Sequence, residues 1–120
     1  MAADNYVILV VEDDEDARTV LVRILELKGF RARGFSNGAE ALVYLEKSEA
    51  PRLIILDIRS SVMSGPQFRS ALLQDPRLAE IPVVIVTALD PSEVTGLSAR
   101  RILRKPVKVE LLLDVIRENC

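Results

Sequence analysis

Short runs of β-branched and aliphatic residues alternate along this chain with segments of helical length. Tyr6 to Val11 is too short and too rich in valine for a helix and predicts a fully buried strand. Asp14-Glu15-Asp16-Ala17 opens a helix with acids in its first turn, where the dipole favours them. Val20, Leu21, Ile24, Leu25 and Leu27 recur near helical spacing, and Gly29 is placed to end that helix. Phe30 to Phe35 alternates apolar with polar residues, Phe30, Ala32 and Gly34 against Arg31 and Arg33, as a half-exposed edge strand does. A turn at Ser36-Asn37-Gly38 leads into a helix over Ala39–Lys47 with Ala41, Leu42 and Leu45 on one face. Pro51 breaks the chain before a strand over Leu53–Leu56. A loop over Ile58–Ser64 precedes a helix near Pro66–Leu73, which Asp75-Pro76 ends. Pro82–Val86 predicts a strand, and Pro91, with Asp90 as its cap, a short helix. Arg101–Arg104 predicts a brief strand and Val109–Arg117 a last helix, with Leu112, Leu113 and Ile116 on one face.

Strands alternating with helices in this way predict an α/β fold, a flavodoxin-like doubly wound (βα)5 unit. Its five-stranded parallel sheet is expected in the order 2-1-3-4-5. The 120 residues make one domain over 1–120, with Met1–Asn5 as a polar lead-in. A net charge of −2 offers no basic surplus for direct nucleic-acid binding. No apolar stretch approaches the roughly 20 residues of a membrane span. With Cys120 as its one cysteine the chain has no internal disulfide, in keeping with a cytoplasmic location. The absence of histidine removes Ser-His-Asp triads, His-Cys zinc sites and any phosphohistidine formed on this chain.

The polar residues that end the strands carry the chemistry. Val11 runs into Glu12-Asp13-Asp14, Leu56 into Asp57, Val86 into Thr87-Ala88, and Arg104 into Lys105-Pro106. Ligands of a parallel sheet bind at the carboxyl ends of its strands, so these groups are expected on one edge. Each has an ordinary alternative: a helix start, a turn residue, a polar strand residue, a loop dipeptide. Their joint occurrence at successive strand ends is what points to a site. Carboxylates about 4 Å apart repel by roughly 4 kcal/mol at an effective dielectric near 20. No arginine stands beside Glu12, Asp13 or Asp57 in the sequence, and a hard divalent cation such as Mg2+ would relieve the repulsion. Asp57 is then placed as a nucleophile toward a phosphoryl group. Lys105 supplies positive charge, Thr87 a hydroxyl, and Ala88 leaves room for the transferred group.

In these residues the chain resembles the receiver domains of two-component response regulators, over essentially its whole length. That family pattern is an acidic pair after the first strand, an aspartate after the third, Ser/Thr after the fourth and Lys-Pro after the fifth. Glu12-Asp13, Asp57, Thr87-Ala88 and Lys105-Pro106 match it, as do Gly65 and the Phe35–Leu42 helix entry. The resemblance implies that Asp57 accepts a phosphoryl group and then loses it slowly. It also implies Mg2+ held by Asp13, Asp57 and the backbone carbonyl of Arg59, with Glu12 acting through water. Asp14 is expected to cap a helix. The partners implied are a histidine kinase or phosphotransfer protein as donor and a downstream effector protein or domain.

The resemblance thus describes a signalling domain that modifies itself, not an enzyme with a separate substrate. Two other readings stay open: an interaction module that works without phosphorylation, and a receiver domain cut from a hybrid histidine kinase. A phosphatase with an aspartyl nucleophile would need an acid two residues after Asp57, where Arg59 stands. The chain departs from the family in three places. The 58–64 loop lacks the common proline, the Thr87–Lys105 segment is short, and Ile102 replaces an aromatic. The last two bear on how phosphorylation would be relayed from the site. Leu89 cannot orient a hydrolytic water, which implies a persistent phosphoaspartate.

Overall fold

A computed structural model describes residues 7–57, 65–88 and 99–119. Strands β1 (Val7–Val11), β2 (Arg31–Phe35), β3 (Leu53–Asp57), β4 (Val83–Thr87) and β5 (Arg101–Arg104) form one sheet. All four pairings are parallel, in the order β2-β1-β3-β4-β5, as expected for the flavodoxin-like unit. Helices α1 (Glu15–Leu27), α2 (Gly38–Lys47), α3 (Gly65–Gln74) and α4 (Val109–Asn119) connect or follow the strands. The 58–64 loop and the helix expected from Pro91 lie outside the described residues. Among the described residues no helix is long and apolar enough to cross a membrane.

The central strands read as unbroken apolar runs because both sheet faces are covered. Leu9, Val11, Ile54, Leu56, Val83 and Ile85 point to one face and pack with Ala41 and Leu45 of α2 and Phe68 and Leu72 of α3. Ile8, Val10, Leu53, Ile55 and Val84 point to the other and pack with Leu25 of α1 and four residues of α4 (Leu112, Leu113, Val115, Ile116). Strand β2 is an edge, half exposed as its alternation predicts.

Polar caps set the starts of α1 and α2. Asp14 caps α1, its carboxylate accepting the Ala17 N–H at 3.0 Å, and Asn37 caps α2 by accepting from Glu40 at 2.9 Å. At the other end of α1, Gly29 takes φ 95°, its N–H donates to the Glu26 carbonyl, and that of Phe30 donates to Leu25. This is a Schellman ending, one residue past the C-cap Lys28. The Arg77 guanidinium closes α2 from a distance, donating to the carbonyls of Leu45 and Ser48.

Two of the apolar positions that recur along α1 are not buried: Val20 is 57% and Leu27 77% exposed. Helix α1 packs over β1 and the edge strand β2, so little of the molecule is available to cover its outer flank.

Candidate functional site

Parallel register brings the strand ends together. Val11 lies opposite Leu56, so Glu12 and Asp57 follow side by side. Asp57 lies opposite Val86 and Thr87 opposite Arg104, which places Lys105 one step beyond Thr87. The Lys105 N–H donates to the Thr87 carbonyl at 2.7 Å, fixing where the lysine leaves the sheet. The Lys105–Pro106 peptide is cis.

Carboxylate oxygens of Glu12, Asp13 and Asp57 lie within 4.8 Å of one another. Asp57 is 2% exposed, Glu12 6% and Thr87 0%, while Asp13 stands at the surface. Lys105 reaches into the cluster: Nζ is 2.8 Å from Asp57 Oδ2 and 3.0 Å from Glu12 Oε1. A single ammonium against three carboxylates leaves a surplus of negative charge.

Burial is the main cause that raises the Glu12 carboxyl above its usual range, with the neighbouring Asp57 adding to it. The Lys105 ammonium and the Asp14 N–H, at 3.2 Å from Oε2, only partly offset this. For Lys105, burial opposes the charged form most, but hydrogen bonds and charge from Asp57 and Glu12 outweigh it and raise its pKa. A close set of hard oxygen donors, one of them short of compensating charge, fits a divalent cation of the magnesium type.

The structure thus brings together Glu12, Asp13, Asp57 and Lys105, with Thr87 joined to them through the main chain. Asp14 is occupied as the cap of α1. Arg59, expected to contribute a backbone carbonyl, lies outside the described residues, as does Leu89. One contact was not foreseen from the sequence: Arg18 Nη1 donates to the main-chain carbonyl of Glu12 at 2.9 Å. The available signal was a cation in the first turn of α1, where the helix dipole disfavours it.

The model of the response regulator receiver domain matches residues 8–117. The chain belongs to that family. Protein PilH of Pseudomonas aeruginosa is 34% identical over 113 residues, covering 91% of this chain and 93% of PilH. Protein Rrf1 of Nitratidesulfovibrio vulgaris is 30% identical over 109 residues, covering 91% of this chain and 78% of Rrf1. Among solved structures, the signal receiver domain of a signal transduction histidine kinase from Syntrophus aciditrophicus superposes with a TM-score of 0.86. It shares 32% identity and covers 94% of this chain and 88% of that one. The function read from the strand ends is that of a phosphoacceptor receiver domain. It stands on this match together with the carboxylate cluster, which is positioned for metal coordination.

Proposed function

We propose that Asp57 is the phosphoacceptor, taking a phosphoryl group from a phosphohistidine of a histidine kinase or phosphotransfer protein. The observation that carries this reading is the buried Asp57 carboxylate paired at 2.8 Å with Lys105 beside two further carboxylates. In the step, an Asp57 carboxylate oxygen forms the bond to phosphorus as the bond to the donor imidazole breaks, and the imidazole nitrogen keeps the electron pair. Lys105, already held in place, offers its ammonium to the transferring oxygens, and Thr87 its hydroxyl. Glu12, Asp13, Asp57 and the carbonyl of Arg59 would hold the metal, which when bound supplies charge neutralisation for the phosphoryl oxygens.

A mostly apolar groove supports a protein as the donor. Val20, Leu21 and Ile24 of α1 line it together with Val107, Val109 and Leu112, and Glu12 and Lys105 belong to the same lining. A partner seated there would present its phosphohistidine next to Asp57. We further assign residues 1–120 to a single receiver domain in the cytoplasm, acting on a downstream effector protein or domain.

Acetyl phosphate labelling in the presence of Mg2+ tests the assignment. Wild type takes up label, Asp57→Asn takes up none, and the wild-type label outlasts that on Leu89→Glu. Retained labelling of the Asn variant would sink the assignment. Failure of beryllofluoride to bind with Mg2+ would instead favour an interaction module without phosphorylation.

A further inference from the structure

Arg18 stands among acids in the first turn of α1, with Glu15 and Asp16 before it, and as a cation there it opposes the helix dipole. Its guanidinium turns back to the end of β1 and donates to the Glu12 carbonyl at 2.9 Å. The Glu12 N–H is held as well, donating to the Phe35 carbonyl of β2 at 2.9 Å. The main chain carrying Glu12 is therefore fixed on both sides, by the edge strand and by the arginine.

The arginine stem has its own seat on Gly34 of β2. A Cβ at that position would lie 2.8 Å from Arg18 Cγ, 3.1 Å from Cδ and 3.1 Å from Val22 Cγ2. Carbon atoms do not pack that closely, so a side chain at residue 34 would push the stem away. The space that Gly34 leaves is where the Arg18 stem lies on its way to the Glu12 carbonyl.

We propose that Arg18, seated on Gly34, is a positioning residue for the metal site. It touches neither metal nor phosphoryl group. It holds the Glu12–Asp13 main chain so that both carboxylates project toward Asp57. The inference rests on the assignment of Glu12, Asp13 and Asp57 as the metal-holding set. Its sign separates it from a plain charge effect, because a nearby cation acting through space repels Mg2+ and its removal would tighten binding.

Calorimetric titration of Mg2+ into the full chain tests this with Arg18→Ala, Arg18→Lys and Gly34→Ala, urea unfolding serving as the check on folding. Removing a group that orients a metal ligand typically weakens affinity by about 10- to 100-fold. A loss at the lower end is expected for Arg18→Ala and for Gly34→Ala, which keeps every charge. Arg18→Lys, which keeps one donor, recovers part of it. The Mg2+ concentration for half-maximal acetyl phosphate labelling should rise by the same factor, with the rate at saturating Mg2+ near that of wild type. Unchanged or tighter Mg2+ binding in folded Arg18→Ala, or unchanged binding in Gly34→Ala, overturns the proposal. If Arg18→Ala does not fold, Gly34→Ala decides. Asp13→Asn is the reference: undiminished Mg2+ binding there overturns the metal assignment itself, and the proposal with it.

Discussion

Between Asp57, Lys105 and the end of β1, Glu12 is a carboxylate with little water to solvate it. Its raised pKa has a consequence for metal binding. Unfolded, the group titrates near 4.5, and in the metal-free fold it takes up its proton at higher pH. The folded state therefore binds the proton more tightly than the unfolded one. This makes the metal-free protein relatively more stable as pH falls through that raised value, and the advantage is lost as pH rises through it. A bound proton also competes with Mg2+. Calorimetry should show Mg2+ affinity falling as the pH is lowered, starting above the range of an ordinary glutamate. Glu12→Gln should weaken binding roughly tenfold at neutral pH, about 1.4 kcal/mol, and flatten the pH dependence. An unaltered pH profile in that variant would contradict the assignment of the proton to Glu12. At this scale the reactive groups were legible, since each ends an apolar run and strand ends are where a parallel sheet binds ligands. Arg18 was not, because its partner is a main-chain carbonyl and carries no side-chain signature in the sequence.

Helix α1 begins and ends, and α2 begins, where short-range chemistry says they should. Asp14, Asn37 and Gly29 act on groups within a few residues, so local sequence announces them. Long-range closures are different. Arg77 caps α2 from beyond the end of α3, a contact 32 residues back to Leu45. Gly38 opens α2, and a Cβ there would lie 2.9 Å from Cδ1 of the fully buried Phe68 of α3. That ring is packed in the core beside α2 and the sheet, so Gly38→Ala should destabilise the domain by about 1–2 kcal/mol despite the better helix propensity of alanine. Urea unfolding measures this, and an unchanged midpoint would show that α2 and α3 can separate at no cost. The exposure of Val20 and Leu27 has a related reason. Periodicity reports which residues share a helix face but not how much of that face the neighbours cover.

The whole molecule sets the site by aligning strand ends and sets its access by placing α1 beside α4. The groove between them joins the phosphoacceptor edge, and Val20 lies on its lining with much of its side chain in water. Val20→Asp should leave folding and acetyl phosphate labelling near wild type. It should lower the rate of transfer from a histidine kinase that labels the wild type by about tenfold or more, the loss of one apolar anchor. Equal losses with both donors would place the effect on the site and not on docking. The order of strands and helices, the buried runs and the four reactive strand ends were determined by the sequence itself, through short-range periodicity and the chemistry of each residue. The tertiary structure decided which ends lie side by side, that Lys105 spans Glu12 and Asp57, and that Gly34 makes room for Arg18. Those contacts join residues from 6 to 93 positions apart, and register and packing, not local propensity, bring them within bonding distance.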